Sequence, residues 1–427
     1  MNDNQTVFNS KLALNQMAVQ SNIGIKFFKT VHIFLALFVV SWMNSGIFSY
    51  VSPYVPGIMR WFIFIVWFGF ALLSSKKYTR LLFNHIWPLL ILCIYITILS
   101  MCTSQPNLDI YLRGIQYLMV VYSIFLYYFR RSYLKTQKLL ILYLIVETVY
   151  LTCNTYLKVQ DNPLLPRMLA AGNEVMPGVG SYGFFYGLVP VILLFTYLFL
   201  NFNKNKIFHL IALVFLFVIL VKAAFTIAIL FTIALSFLII AIKFTKGNPY
   251  WITFIFILIA IFVFDGGLTW ILYQLVSLNL PDVVQHRLYE MLDLLSGTGL
   301  SAGSDLGSRK ELYSMSIDAF LNNIVTGTSF SSTVGYKIGG HSSWLDLLAL
   351  LGLASMLLVV FLFKSYRYCK INLPKSFRAF VNIYWLYFIC LGFINTLMFA
   401  NIFTIWFLFI PIFIRRFYDS NPIQKRD

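Results

Sequence analysis

The 427-residue sequence contains little charge. Only 11% of its residues are Asp, Glu, Lys or Arg, whereas about 25% is usual for a soluble domain. Apolar residues make up 60% of the chain, and the mean hydropathy is +0.80. Too few polar side chains remain to cover a water-exposed globule, which excludes soluble, disordered and collagen-like chains. The composition therefore predicts a polytopic membrane protein.

Several chemical motifs are absent as well. The five cysteines form no CxxC pair and no ligand cluster, so neither a metal site nor a disulfide framework is predicted. Walker, HExxH and GxSxG motifs are missing, which leaves ATPase, zinc-protease and serine-hydrolase mechanisms without support. No small-residue cleavage site follows the first apolar run, so that run is predicted to be retained as a span.

Apolar windows of about 20 residues, the length that a helix needs to cross a bilayer, recur from Val31 to Ile414. They predict an all-α bundle of about twelve spans in one transmembrane domain, 1–427. The predicted spans are 31–51, 57–74, 86–102, 110–129, 139–157, 182–202, 206–221, 224–242, 250–273, 342–363, 379–398 and 401–414. The runs 206–242 and 379–414 are unbroken and too long for single helices, so each is predicted to fold back, at Lys222 and at 395–401.

The net charge of +17 has a topological explanation. Most of the 32 basic residues lie in the N-terminal segment, in alternate loops and in the C-terminal tail. The positive-inside rule places these regions in the cytoplasm. Both termini are then cytoplasmic, which an even number of spans requires. The charge faces anionic lipid, and no nucleic-acid partner is predicted.

Two substantial loops are predicted on the outer face, 158–181 and the longer loop 274–341 between spans nine and ten. The remaining basic residues lie on or near this face, against the topological bias. They are Arg60, Arg113, Lys158, Arg167, Lys222, Arg287, Arg309, Lys310 and Lys337. Such residues either bind an anion at the outer surface or pair with the outer acids, and the sequence leaves both interpretations open.

The long loop is predicted to contain two short amphipathic helices. Apolar residues at 284, 288, 291 and 295 have helical spacing after Pro281. Ser308 and Glu311 have capping-box spacing and predict the start of a second helix with Arg309 in its first turn, a favourable place for a phosphate.

The loop then returns to the membrane at His341, which is predicted to lie at a helix start. The positive end of the helix dipole there favours a neutral imidazole that can accept a proton. Ser343 and Asp346 again have capping-box spacing. The alternative is an interfacial histidine that hydrogen-bonds to the loop. Within the bundle, Glu147 lies in the middle of the fifth span, where it is a functional acid of a proton-coupled transporter, a protonated side chain, or a carboxylate paired with a neighbouring helix.

Three segments together resemble the signature of the bacterial O-antigen polymerase and ligase superfamily. That family has an Arg-led helix, an Asn/Pro-x-x-Gly turn, and a His-led transmembrane helix that ends near a glycine. The corresponding segments here are 308–313, 322–327 and 341–348 with Gly352. The pair His341-Ser342 is similar to polymerases of capsule or O-antigen repeat units rather than to ligases. The resemblance implies a fold like that of the GT-C membrane glycosyltransferases.

The resemblance also implies an activity. The enzyme would be a metal-independent glycosyltransferase without a cofactor, which transfers a growing glycan from undecaprenyl diphosphate to a hydroxyl of an acceptor lipid-linked repeat unit. His341 and Arg309 match the family's catalytic residues, and Arg167, Lys222 and Arg287 join Arg309 in binding the diphosphate. Lys222 departs from a family arginine, and a lysine cannot hold a diphosphate bidentately.

The implied location is the bacterial inner membrane, with the active site on the periplasmic side. The implied partners are the lipid-linked oligosaccharide, membrane lipid and a chain-length regulator protein. Two alternatives remain open at this point. One is an O-antigen ligase that transfers glycan to lipid A-core, and the other is a flippase for the lipid-linked oligosaccharide.

Overall fold

The chain is helical throughout the part that the computed structural model describes. The described residues are 30–44, 46–103, 107–129, 133–162, 165–171, 176–203, 205–223, 225–246, 266–278, 305–328 and 338–420, with single positions at 248, 250, 285, 286, 288, 289, 292 and 293. Nine helices in this part are long and apolar enough to cross a membrane. The protein is therefore a membrane-embedded helical bundle, as predicted from composition.

Fifteen α-helices are described in chain order. They are α1 (Thr30–Asn44), α2 (Gly57–Ser74), α3 (Lys76–Cys102), α4 (Asn107–Tyr128), α5 (Leu134–Asp161), α6 (Leu165–Ala171), α7 (Tyr182–Asn201), α8 (Lys206–Lys222), α9 (Thr226–Phe244), α10 (Gly267–Val276), α11 (Asp305–Asn322), α12 (Ser343–Leu351), α13 (Met356–Asn372), α14 (Arg378–Ile394) and α15 (Ala400–Asp419). Short 3₁₀ turns lie between α1 and α2 (Ile47–Tyr50 and Ser52–Tyr54) and between α12 and α13 (Gly352–Ser355). A π-helical segment, Thr404–Phe409, lies inside α15.

Both unbroken apolar runs are divided into two helices, as the length argument requires. The first run breaks between Lys222, the last residue of α8, and Thr226, the first of α9. The second breaks between Ile394 and Ala400. The predicted ninth span, 250–273, lies mostly outside the described residues, and the exact number of spans stays a prediction.

Several predicted boundaries were wrong because hydropathy locates the apolar window and not the ends of the helix. Helix α3 begins at Lys76, ten residues before the predicted span, and α5 extends at both ends, from Leu134 to Asp161. The first span is the opposite case, since α1 stops at Asn44 and 3₁₀ turns replace its predicted end. At about 1.5 Å per residue, the described part of α1 is about 22 Å long.

The two loops that were predicted on the outer face contain more helix than expected. Residues 158–161 of the first predicted loop belong to α5, and α6 lies within the rest. In the second loop, the described positions from Gln285 to Asp293 are helical, and Leu288 and Leu292 pack on Leu272 of α10. Leu288 was one of the predicted apolar positions of this helix.

Helix α7 forms the centre of the bundle. Its side chains are buried from Gly183 to Leu198, and α8, α9, α14 and α15 pack around it. Near the N-terminal end of α7, the hydroxyl of Tyr186 accepts a hydrogen bond from Asn395 Nδ2 (2.6 Å), in the break between α14 and α15. Phe225 at the start of α9 packs on the same tyrosine, with ring centroids 5.9 Å apart. This cluster joins the α8–α9 hairpin to that break.

Glu147 fills a structural role at the end of α1. Its Oε1 accepts the backbone N–H groups of Gly46 (3.1 Å) and Ile47 (3.3 Å), where the helical hydrogen bonds of α1 have stopped. The side chain is fully buried. A Cβ on Gly46 would lie 2.8 Å from that oxygen and 2.9 Å from a methyl group of Leu151, so only glycine allows this approach. Oε1 of Glu147 is therefore paired, and its partner is a backbone segment rather than a neighbouring helix.

Replacing Glu147 by Leu should lower the free energy of unfolding by at least about 1–3 kcal/mol, because two buried N–H groups lose their acceptor. Glu147→Gln retains an oxygen in the same position and should lose much less. Denaturant unfolding of the protein in micelles measures both, with Glu311→Leu on the exposed side of α11 as the control. Equal losses for Gln and Leu would indicate that the negative charge matters, as a proton-coupled transporter requires.

Candidate functional site

The two helices that carry the family-like motifs pack directly against each other. Helix α11 contains Arg309, and α12 follows His341. The chain passes closely over α11 just before α12 begins, because Gly339 lies against the backbone carbonyl of Leu312 with no room for a Cβ. The sequence-predicted motifs therefore form one cluster.

The centre of this cluster is the carboxylate of Asp346, which is 1% exposed. Oδ1 accepts hydrogen bonds from Ser316 Oγ (2.6 Å) and Gly340 N (3.3 Å). Oδ2 accepts from Ser342 N (3.1 Å) and from the hydroxyl of Tyr111 (3.3 Å). A buried carboxylate is costly unless donors surround it, and here four neutral donors do so.

These four donors come from three parts of the fold. Tyr111 belongs to α4, Ser316 to α11, and the two backbone groups to the segment 339–342 that precedes α12. Ser316 Oγ also accepts the N–H of Gly339 (3.0 Å). The Asp346 network therefore fixes the segment that carries His341 relative to both neighbouring helices.

The predicted capping box at Ser343 and Asp346 was wrong by one residue. The N-cap of α12 is Ser342, whose Oγ accepts the N–H of Leu345 (3.2 Å). Ser343 instead bonds to the break between α14 and α15: its N–H donates to the carbonyl of Asn395 (3.3 Å), and its Oγ accepts the N–H of Leu397 (2.7 Å). The acid of a capping box is the third residue after the N-cap. Asp346 is the fourth residue after Ser342, and it still accepts the N–H of Ser342.

His341 directly precedes this N-cap, and its side chain is exposed. The residues on its C-terminal side, Ser342, Ser343 and Asp346, are almost completely buried. An exposed imidazole is thus attached to a buried and fully hydrogen-bonded support. Such a support is what a residue that acts on a substrate needs in order to keep its position.

The capping box predicted at Ser308 and Glu311 was also wrong. Helix α11 begins at Asp305, so Ser308 is inside the helix and Arg309 is its fifth residue, in the second turn. Arg309 is consequently beyond the first-turn N–H groups that were expected to assist it. Its backbone lies three residues, about 4.5 Å along the axis, before Leu312, the residue that Gly339 contacts.

The other predicted diphosphate-binding residues are placed less completely. Arg167 is on α6, which packs against α5 and α7, and its side chain lies outside the described part of the chain. The side chain of Arg309 lies outside it too, as does all of Arg287. Lys222 is the exposed last residue of α8, three residues before Phe225. Through Phe225, Tyr186 and Asn395 its hairpin is linked to Ser343 at the start of α12.

The glycines of the other two motif segments meet each other. Gly327 (φ +69°) ends the turn after α11, and Gly352 (φ +56°) ends α12. A Cβ on Gly352 would lie 2.6 Å from Gly327 N and from the carbonyl oxygens of Ile324 and Val325. The N–H of Leu353 donates to Ile324 O (3.0 Å). The second and third motif segments therefore contact each other directly through their backbones.

Reasoning from sequence missed the residues that hold this cluster together. Tyr111 and Ser316 had no motif to mark them. Tyr313, whose hydroxyl donates to the carbonyl of Ile394 (3.0 Å), lies in the first motif segment, but nothing in that motif predicted this contact. Gly327 and Gly352 stood in positions that the resemblance singled out. Within the described residues no group of three or more His, Cys, Asp or Glu side chains is arranged to hold a metal ion.

Comparison with known proteins adds no relative: neither the protein-family models nor the curated proteins match this sequence. The resemblance to the O-antigen polymerase and ligase superfamily therefore depends on the motif residues themselves. Their packing into one cluster is consistent with a shared role.

Asp346→Asn should destabilise the protein by about 1–3 kcal/mol, because the amide N–H₂ would face two of the four donors and leave them unsatisfied. The matched control is Asp318→Asn, an exposed acid on α11, which should change little. Thermal unfolding in detergent compares the two variants. Equal stability of Asp346→Asn and the wild type would show that the network does not support α12.

Gly352→Ala should be far more destabilising than Gly340→Ala. Both glycines have positive φ, which costs about 1–2 kcal/mol for another residue, but a Cβ meets backbone atoms at Gly352 and open space at Gly340. The yield of monodisperse protein and its unfolding temperature measure the difference. Similar behaviour of the two variants would argue against the contact between Gly327 and Gly352.

Proposed function

We propose that this protein polymerises lipid-linked oligosaccharide repeat units at the outer face of the bacterial inner membrane. The observation that carries the proposal is the exposed His341 on a support fixed by Asp346, beside the helix that contains Arg309. The chemistry of this reaction needs a base for a sugar hydroxyl and cations for a lipid diphosphate, and the motif cluster contains both residue types.

In the proposed reaction, a hydroxyl oxygen of the acceptor repeat unit attacks the anomeric carbon of the donor glycan. The bond between that carbon and the diphosphate oxygen breaks, and undecaprenyl diphosphate leaves. His341 accepts the proton of the hydroxyl. Arg309, with Arg167, Lys222 and Arg287, stabilises the negative charge that develops on the leaving group. No metal or cofactor takes part in this scheme, because the lipid diphosphate already activates the donor.

The positive-inside distribution supports the same side for the site. The Lys- and Arg-rich loops indicate cytoplasmic termini, which puts the segment 305–341 on the periplasmic side. A GT-C-like arrangement and twelve spans belong to this proposal, as does a chain-length regulator as partner. The donor lipid would enter from the outer leaflet, where its diphosphate lies at the membrane surface.

Two other functions would use parts of the same structure. A ligase would transfer the glycan to lipid A-core with the same His and Arg residues. A flippase would need charged groups along the bundle, and Glu147, the acid that first suggested this, has one carboxylate oxygen bonded to the backbone of residues 46 and 47. Deletion of the gene separates the three functions. Cells that lose a polymerase carry single repeat units on the surface, and cells that lose a ligase carry none. Cells that lose a flippase accumulate the substrate on the cytoplasmic side.

Reconstitution of the full chain with a defined lipid-linked repeat unit and no other protein tests the polymerase directly. We expect a ladder of chain lengths. His341→Ala and Arg309→Ala should each lower the rate of chain growth by at least about 10²-fold, the usual size of a lost base or oxyanion contact.

The matched controls are His286→Ala and Lys310→Ala, which change an exposed histidine and an exposed cation of the same outer loop. Both should keep the wild-type ladder, and all four variants should be present in membranes at normal abundance. A normal ladder from His341→Ala or Arg309→Ala would remove that residue from the site. Absence of growth with the wild type would reject the polymerase.

A further inference from the structure

Two adjoining cavities lie between α1, α4, α15 and the loop 176–181. The larger, of about 530 Å³, includes Trp42, Phe48, Ser52 and Arg60 in its lining. The smaller, of about 240 Å³, has Asn44, Ser181 and Asn401. Met43, Tyr117 and Ala400 line both. Their combined size is within the usual range for small-molecule sites, about 300–1,000 Å³.

The cavities lie close to the motif cluster but outside it. Ala400 directly follows the 395–399 break, whose backbone is bonded to Ser343 at the start of α12. Tyr117 is ten residues into α4, about 15 Å along its axis. The space is therefore recessed below the outer end of the bundle.

Arg60 is the charged group of this space. Its Nε donates to the carbonyl of Val55 (2.9 Å) and its Nη2 to that of Ser52 (2.8 Å). The guanidinium also lies over the ring of Phe48, 5.5 Å from the centroid. Three contacts therefore fix its orientation, and no carboxylate contacts it in the described part of the chain.

One edge of the Arg60 guanidinium, formed by Nε and Nη2, binds the two carbonyls. The N–H groups of Nη1 and the second N–H of Nη2 have no hydrogen-bond partner among the described residues. This second edge has the fork geometry that binds a carboxylate or phosphate bidentately. A cation that lines a cavity, with its position already fixed, is suited to recognise an oxyanion.

The rest of the lining is suited to a sugar. Trp42 and Tyr117 present aromatic rings, which combine a large apolar face with a polar tip. The hydroxyl of Ser181 does not cap α7, although Ser181 is its N-cap residue. Asn401 uses its Oδ1 for the N–H of Ile402 (3.0 Å), which directs its amide N–H₂ elsewhere. Hydroxyl and amide groups of this kind bond to sugar hydroxyls.

We propose that these cavities bind a carbohydrate that carries an oxyanion, with the Nη1–Nη2 edge of Arg60 on the oxyanion and the aromatic, Ser181 and Asn401 side chains around the sugar. The inference rests on the proposed function, in which this ligand is the acceptor repeat unit. The oxyanion is either a phosphate of the lipid carrier or the carboxylate of an acidic sugar. Polymerisation brings two lipid diphosphates into one enzyme, that of the donor and that of the acceptor. Arg309 would bind the donor diphosphate, and Arg60 would provide a separate cation for the acceptor.

Calorimetric titration of the full chain in nanodiscs tests this with three probes: inorganic pyrophosphate, glucuronic acid and glucose. Arg60→Lys retains the charge but not the fork, so it should weaken the bound oxyanion probe at least about tenfold. Ala400→Leu fills the shared part of the cavities without touching the backbone contacts of Arg60, and it should weaken the same probe. Arg113→Gln, an exposed outer arginine, is the matched control and should bind as the wild type does.

If Arg60→Lys and Ala400→Leu lose only the binding of glucuronic acid, the oxyanion is the carboxylate of an acidic sugar. If they lose one class of pyrophosphate sites, the oxyanion is the phosphate of the lipid carrier. Sites that remain for pyrophosphate in Arg60→Lys and disappear in Arg309→Ala belong to the motif cluster. Unchanged binding in both Arg60→Lys and Ala400→Leu, an equal loss in Arg113→Gln, or no oxyanion binding by the wild type would each overturn the proposal. Because binding is measured without chain growth, a protein that binds through Arg60 and fails to polymerise would reject the polymerase and keep the cavity.

Discussion

The arrangement of helices α4, α11 and α12 depends on one buried carboxylate. Asp346 is surrounded by two hydroxyls and two backbone N–H groups, and it contacts no cation in the described residues. In a region of low dielectric, such a group stays in place only while all of its donors do. Helices α4, α11 and α12 are therefore held in one relative orientation. His341 and the backbone of Arg309 lie in neighbouring segments because the hydrogen bonds to Asp346 hold these segments together.

Much of the fold follows from hydropathy and the length of a bilayer. The division of 206–242 and of 379–414 into two helices each was predictable, because a single helix would be longer than the membrane. Hydropathy does not predict where a helix ends inside an apolar segment. Residues 47–50 lie inside the predicted first span, yet they form a 3₁₀ turn where Glu147, from elsewhere in the chain, supplies an acceptor for the N–H groups of Gly46 and Ile47.

The candidate site was predictable in part for a related reason. Motif spacing identified Arg309, His341 and the glycines at 327 and 352, all of which belong to segments that the fold brings together. Tyr111 is 235 residues from Asp346 in the chain, and no local pattern reveals such a pair. Both capping boxes were misplaced, since the spacing Ser-x-x-acid also arises inside a helix and where a neighbouring helix supplies the competing donors. For the Arg60 cavity, the one signal in the sequence was that Arg60 is a basic residue on the predicted outer face, against the positive-inside rule.

The short first helix has a consequence for how the chain enters the membrane. Its partner Glu147 lies about one hundred positions later in the polypeptide, so it is not yet synthesised when the first apolar run reaches the translocon. At that time, the N–H groups of residues 46 and 47 are best satisfied by continuing the helix through the whole run. We expect the first span to insert as a full-length helix and to unwind its outer end only when α5 arrives, so that the mature architecture is completed by rearrangement after insertion.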